Sequence, residues 1–184
     1  MKNFLDQNKI ISEVIIAIFV PKDTGASVHN QRKSHGVAFN LEGEKDYIFS
    51  DGSIYNVKKN DIIYLPKGSS YRVKTKISGG VFCINFDLDE NESFSPFVIT
   101  PLAVNEVLKA YQTAERAWVS AVIGKEYIAL SNLYKILYEI KRQDVMPYLP
   151  QSKKNLLNPA IDYIHKHYVE ELIDVKKLSD ICCI

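Results

Sequence analysis

Short apolar runs broken by turn residues make up the first hundred positions of the chain. The runs cover 14–20, 37–41, 47–49, 54–57, 62–65, 71–73 and 81–86. Between them lie the turn-forming stretches 22–25, 41–44 with Gly43, Asp51-Gly52, 58–61, 66–70 and Gly79-Gly80. Runs this short, punctuated at this spacing, predict an antiparallel sandwich or barrel. Asp51-Gly52 is the clearest hairpin signal, because glycine tolerates the positive φ that a tight primed turn demands.

The period changes at Thr100-Pro101. Threonine caps helices well and proline suits the first helical position, so a helix is expected to start there. Val104, Val107, Leu108, Tyr111 and Trp118 then recur at three- and four-residue spacing on one stripe. Gly124 marks a break. Over 125–142, Tyr127, Leu130, Tyr134 and Leu137 form a second stripe that Leu133, Ile136 and Ile140 widen, which predicts burial on two sides. Pro147, Pro150 and the polar residues 151–155 read as a linker. Asn158-Pro159 repeats the cap-and-proline start, followed by Ile161, Ile164 and Tyr168, and Asp174 caps a last short helix carrying Val175, Leu178 and Ile181. The expected organisation is therefore a barrel over 1–98, helices over 99–143, a linker over 144–157 and a helical stub over 158–184.

Composition narrows the function classes. With 46% hydrophobic and 24% charged residues among 184, the chain is ordinarily globular rather than disordered. A net charge of +1 gives no global basic field for nucleic acid or anionic membrane. The longest apolar run, 14–20, is far short of the roughly 20 residues that span a bilayer, and Ser12 and Glu13 interrupt any leader-like stretch. Three cysteines, Cys83, Cys182 and Cys183, make an odd count without a second pair for zinc, which fits reduced thiols in a cytoplasmic protein. Catalytic constellations are missing. Ser69-Ser70 lacks a nucleophile elbow, no phosphate loop occurs, and Cys83 sits in apolar company that disfavours a thiolate. Glu42 and Glu44 read as solvated carboxylates flanking a turn.

One stretch is specific. Asn60, five residues, Pro66-x-Gly68, two residues, Tyr71, three residues and Thr75 resemble the second cupin motif, with Asn60, Tyr71 and Thr75 replacing its Gly, His and Asn. Pro66 and Gly68 would reverse one strand into the next, leaving residue 71 pointing into the barrel. The first motif keeps at most one of its ligands. Counting back from Gly43 puts Gly36 at the glutamate position, and the paired histidines fall on Asn30 and Arg32, or on His29 and Gln31 in a looser spacing. A divalent site needs three or four converging N or O donors, so no metal and no other cofactor is expected. His35 reads as a hydrogen-bonding wall residue.

The barrel, the two helices, and the run Asn158-Pro-Ala-Ile161-Asp-Tyr-Ile164-His-Lys-His-Tyr168 followed by Asp174-Val-Lys-Lys-Leu178-Ser-Asp-Ile181 together resemble the AraC family of bacterial transcription regulators. The resemblance implies an α+β chain: a small antiparallel cupin (jelly-roll-like) barrel that binds a small-molecule effector, two dimerisation helices, and an incomplete helix-turn-helix DNA reader. It implies no enzyme activity, a homodimer through the 125–142 helix, with Leu130, Leu133, Tyr134, Leu137 and Ile140 at the contact, and DNA binding only in the longer protein. For the effector, a sugar or small carboxylate, the candidate residues are Arg32, whose guanidinium forks onto a carboxylate or hydroxyls, His35, and the aromatic faces of Tyr47, Tyr55, Tyr64 and Tyr71. The rival readings are a metal-dependent cupin isomerase or dioxygenase and a ligandless structural dimerisation module.

The 184-residue chain itself is expected not to bind DNA specifically. Base readout by a helix-turn-helix requires its second helix in the major groove. Residues 158–184 carry Lys166, Lys176 and Lys177 against Asp162, Glu170, Glu171, Asp174 and Asp180, a net −2 with histidine neutral, and phosphate neutralisation supplies most non-specific affinity. Gel retardation checks this, and a salt-sensitive, sequence-dependent shift would overturn it.

Overall fold

A computed structural model describes residues 4, 10–22, 26–89, 94–145, 151–167 and 174–182. The expected turn residues 23–25, the prolines at 147 and 150, Tyr168 and Cys183 lie outside the described residues. The chain divides into two compact units, Met1–Asp144 and Val145–Ile184.

The first unit holds nine strands: β1 (Ile11–Val20), β2 (Ala26–His29), β3 (His35–Asn40), β4 (Glu44–Phe49), β5 (Ile54–Val57), β6 (Ile62–Leu65), β7 (Tyr71–Ile77), β8 (Val81–Leu88) and β9 (Phe97–Ile99). They form a five-stranded sheet in the order β1-β8-β3-β6-β9 and a four-stranded sheet in the order β2-β7-β4-β5, with every pairing antiparallel. Successive strands pass from one sheet to the other except at the β4–β5 hairpin and between β8 and β9, which is a jelly-roll arrangement like that of cupins. The α+β expectation holds. At the hairpin the Gly52 N–H donates to the Phe49 carbonyl at 3.0 Å, and Asp51 Oδ1 accepts from the Ser53 amide and hydroxyl at 2.9 and 2.7 Å. Gly52 is at φ 87° and Asp51 is not in the positive-φ region, so the loop is not the two-residue primed turn expected there. The edge strands β2 and β9 escaped the sequence pattern. One is four residues with a polar Ser27 and a solvent-facing Val28; the other is only three residues long.

Strand alternation places two cores on either side of the larger sheet. Ala38 of β3, Ile63 and Leu65 of β6, and Val81 of β8 face the smaller sheet, where Tyr47, Phe49, Val57, Tyr71 and Val73 meet them. Their neighbours Val37, Phe39, Ile62, Tyr64, Phe82, Ile84 and Phe86 face the other way, toward helices α1 (Val104–Val119) and α2 (Lys125–Val145). Because both faces are covered, β3 and β6 are buried along their whole length, which is why they read as unbroken apolar runs.

Helix α1 begins at Val104, three residues after the expected start at Thr100-Pro101. The Thr100 hydroxyl donates to Asp61 Oδ1 instead of capping, and the cap position falls to Ala103, which has no side-chain acceptor. Tyr111 anchors α1 on the sheet, its ring 5.6 Å from that of Phe39. On α2, Ala129, Leu133, Ile136 and Ile140 are fully buried within the unit. Leu133 and Ile140, expected at a contact between chains, are therefore core residues. The helix leaves Tyr127, Tyr134 and Tyr138 exposed, with Leu130 and Leu137 half-buried beside them.

The second unit contains α3 (Gln151–His167) and α4 (Val175–Cys182). Residues 151–157, expected as linker, are helical, and Pro159 lies inside α3 rather than at its first turn. Gln151, Lys153, Lys154, Leu156 and Leu157 are strong helix formers, and the helix continues across Pro159 despite losing that residue's amide donor. Asp174 caps α4 as expected, its Oδ1 accepting the Lys176 N–H at 3.2 Å. No helix among the described residues is long and apolar enough to cross a membrane.

Leu133→Ala is expected to lower unfolding stability by about 2–5 kcal/mol through lost burial and a residual cavity. The association state should stay that of the parent chain. Urea denaturation and sedimentation, run together, check both halves.

Candidate anion-binding cup

The turn 66–70 between β6 and β7 sets the site. Gly68, at φ 80°, occupies the backbone region that glycine takes without strain, and the Ser69 hydroxyl donates to the Pro66 carbonyl at 2.6 Å. The loop before β3 lies along this turn. The Arg32 N–H donates to the Ser69 carbonyl at 2.9 Å, the Gly68 N–H donates back to the Arg32 carbonyl at 2.8 Å, and the Gln31 N–H donates to Ser70 Oγ at 2.9 Å. These bonds clasp Arg32 at the rim of the space between the sheets.

Its guanidinium then reaches inward. Nη1 donates to the Tyr71 hydroxyl at 2.7 Å, Nη2 to Asn85 Oδ1 at 2.8 Å, and Nε to the Ser34 carbonyl at 3.2 Å. All three acceptors are neutral. Among the described residues no carboxylate lies within 4 Å of the guanidinium, and one N–H on each terminal nitrogen is left over. Gly36 makes room for it: a Cβ at residue 36 would stand 2.6 Å from Nη2 and 2.8 Å from Asn85 Oδ1. The position where metal-binding relatives of the motif would need a glutamate is here the bed on which a cation lies.

Around this cation is an aromatic wall. Tyr71, 4% exposed, has ring centroids of Phe49 at 5.1 Å and Tyr47 at 5.7 Å, and Tyr55 packs edge-on against Phe49 at 5.5 Å. His29, opposite Tyr71 in the β2–β7 pairing, stacks on it at 4.8 Å. Burial raises the Tyr71 phenol above its usual value, with Arg32 opposing, so Tyr71 stays neutral. Burial likewise raises the Cys83 thiol, which donates to Asn85 Oδ1 at 3.3 Å. Asn85 was missed from the sequence. Its signal was there: a lone amide between Ile84 and Phe86 in an otherwise apolar strand, on the face shared with Cys83.

His35 and Tyr64, expected in the cup, face away from it. Both lie on the helix side of the larger sheet, in parity with Val37 and Ile62, and they bind each other, Tyr64 Oη to His35 Nδ1 at 2.8 Å. Burial lowers the His35 pKa from 6.5 to about 4; Asp87 pulls it up, while Lys67 and Arg32 push it further down. Its share of the stability is complete above pH 6.5 and is lost as the pH falls toward 4, because the unfolded chain takes up the proton first. Arg32, Tyr47, Tyr55 and Tyr71 are thus brought together, and His35 and Tyr64 form a separate pair.

The donor set does not suit a divalent metal. A permanent cation occupies the space between Tyr71, Asn85 and Gly36, and among the described residues no three His, Cys, Asp or Glu side chains group as ligands.

No family model matches the sequence, and no curated protein matches it. Among solved structures, ToxT from Vibrio cholerae strain SCE256, with an unsaturated fatty acid bound, aligns with 96% of this chain and 70% of its own length at 9% identity and TM-score 0.48. An RmlC-like cupin from Shewanella frigidimarina aligns with 43% of this chain and 70% of its own at 21% identity and TM-score 0.36. A DUF861 family protein from Thermotoga maritima covers 38% of this chain and 75% of its own at 21% identity and TM-score 0.32. At these levels no activity carries over to this chain.

Gly36→Ala is expected to displace the guanidinium while the barrel stays folded, at a cost of about 1–3 kcal/mol for the inserted methyl. A crystal structure of the variant with Arg32 still bonded to Tyr71 and Asn85 would contradict this.

Proposed function

We propose that the barrel is a receptor for a small anionic ligand, a carboxylate or similar oxyanion on an aromatic or apolar body, and that it forms the sensing part of an AraC-type transcription regulator. The observation that carries the first part is the half-buried Arg32 guanidinium, held by three neutral acceptors without a carboxylate partner among the described residues. Withdrawing an unpaired charge from water is costly, and the guanidinium keeps two N–H groups that can donate to an anion's oxygens. Tyr47, Phe49, Tyr55 and Tyr71 would cover the ligand's body.

The second part rests on order along the chain. A sensing barrel, two helices, and α3 and α4 with their Asn158–Ile181 residue pattern follow one another as in that family. In this reading a homodimer forms through the face of α2 that stays open, Leu130, Tyr134 and Leu137 together with Tyr127 and Tyr138, and not through Leu133 and Ile140. Ligand binding would bias the barrel's state and so the attached reader. The cup would bind rather than catalyse, and the protein would work in the cytoplasm.

Calorimetric titration with benzoate and benzenesulfonate against neutral benzamide tests the anion reading. Both anions should bind in preference to benzamide, and Arg32→Gln should weaken them by roughly tenfold to a hundredfold, as expected for loss of a charge-assisted hydrogen-bond pair. Equal binding of benzamide, or an unaffected Arg32→Gln variant, would sink the proposal.

A further inference from the structure

The clasp that places Arg32 is itself fastened from the opposite face of the sheet. His35 Nδ1 accepts the Lys67 N–H of the 66–70 turn at 3.2 Å, alongside the Tyr64 hydroxyl at 2.8 Å. A backbone N–H is always a donor, so Nδ1 is bare and the ring proton sits on Nε2. One residue further along the turn, the Gly68 N–H holds the Arg32 carbonyl, and Ser69 accepts the Arg32 amide. A continuous chain of bonds therefore runs from Tyr64 and His35 on the helix side, through the turn, to the cation in the cup.

We infer that His35 is the positioning residue of the anion cup: its bare Nδ1 holds the 66–70 turn, the turn holds Arg32, and a proton placed on Nδ1 releases both. This rests on the reading of the cup as an anion receptor.

The surroundings leave the proton little accommodation. From β6, His35 faces the Tyr64 hydroxyl; from the turn, the Lys67 amide and ammonium; from β8, Asp87 and the ring of Phe86; from the preceding loop, Arg32; and the Phe94 ring lies 6.1 Å away. The one carboxylate in that set, Asp87, is bonded to Lys67 Nζ at 3.0 Å. A protonated Nδ1 would aim its N–H at the Lys67 N–H. The Tyr64 hydroxyl can rotate and accept; the backbone amide cannot.

The direction of the pH effect discriminates between mechanisms. On charge alone, an imidazolium near Arg32 would tighten anion binding. Release of the turn predicts weakening. By reciprocity, an anion that braces Arg32 should hold His35 neutral to lower pH.

The test uses the whole 184-residue chain and benzenesulfonate, which stays anionic throughout, with amide and Arg Nε–H resonances followed by NMR from pH 7 to pH 4. In the parent chain the Gly68 and Ser69 amides and the Arg32 Nε–H should move together with the His35 ring signals, and benzenesulfonate affinity should fall by up to about twofold by pH 4, where a group with a pKa of about 4 is half protonated. His35→Asn, which can offer an oxygen near the Nδ1 position but does not titrate, should keep Arg32 in place and make both readouts flat with pH. His35→Leu should show the released turn at pH 7. Binding that tightens or holds steady as His35 protonates overturns the inference, as do Arg32 and turn resonances indifferent to it, or a His35→Asn profile equal to the parent's. Absence of benzenesulfonate binding at pH 7 would instead overturn the anion reading, while the resonances still decide the role of His35.

Discussion

Burial of the larger sheet on both faces is the constraint from which the rest of the first unit follows. Side chains on a strand alternate, so adjacent residues of β3, β6 and β8 belong to different cores. Phe39 and Ile84 meet the helices while Ala38 and Cys83 meet the smaller sheet. A one-residue change of register would exchange the two sets and put Tyr64 where Ile63 is. The tight pairing of β3 with both β6 and β8 is what prevents it.

The same alternation separates the chemistry of the two sides. Inside, Tyr71, Asn85 and Cys83 are grouped with Arg32, a cation with no carboxylate partner among the described residues. Outside, His35 and Tyr64 satisfy one another in an aromatic setting, Phe4 stacking on Tyr64 at 4.3 Å and Phe94 lying edge-on to Phe4 at 5.4 Å. One side carries a permanent charge at the rim of a cup; the other holds a titratable group neutral. The 66–70 turn touches both, because it is where β6 ends and the chain crosses to the smaller sheet.

Helix α2 shows how much of an amphipathic stripe a single chain absorbs. Its residues at 129, 133, 136 and 140 follow the three- and four-residue spacing of one helical face, and that face is fully buried in the core that the larger sheet and α1 also share. The tyrosines beyond it differ in kind from a bare aliphatic stripe, since hydroxyls temper their exposure. One is already engaged: the Ile11 N–H donates to the Tyr134 hydroxyl at 3.0 Å, tying the helix to β1.

Short-range signals were legible without the fold. The apolar runs marked seven of the strands, Asp51-Gly52 marked the hairpin, Pro66-x-Gly68 marked the turn that carries the site, and Asp174 marked the start of α4, because each depends on residues adjacent in the chain. Arg32 and Tyr71 were legible through motif spacing for the same reason. Tertiary structure alone decided which way each strand presents its residues. Tyr64 and His35 carry the same polar-aromatic character as Tyr71, and where both faces of a sheet are apolar, periodicity cannot say which face is the cup. It also decided that Leu133 and Ile140 are core, that Thr100 serves Asp61 rather than a helix end, and that Asn85, fifty-three residues from Arg32, completes its set of acceptors. Those outcomes depend on which segments pair across the sheets, and a pairing partner distant in sequence leaves no trace in the local pattern.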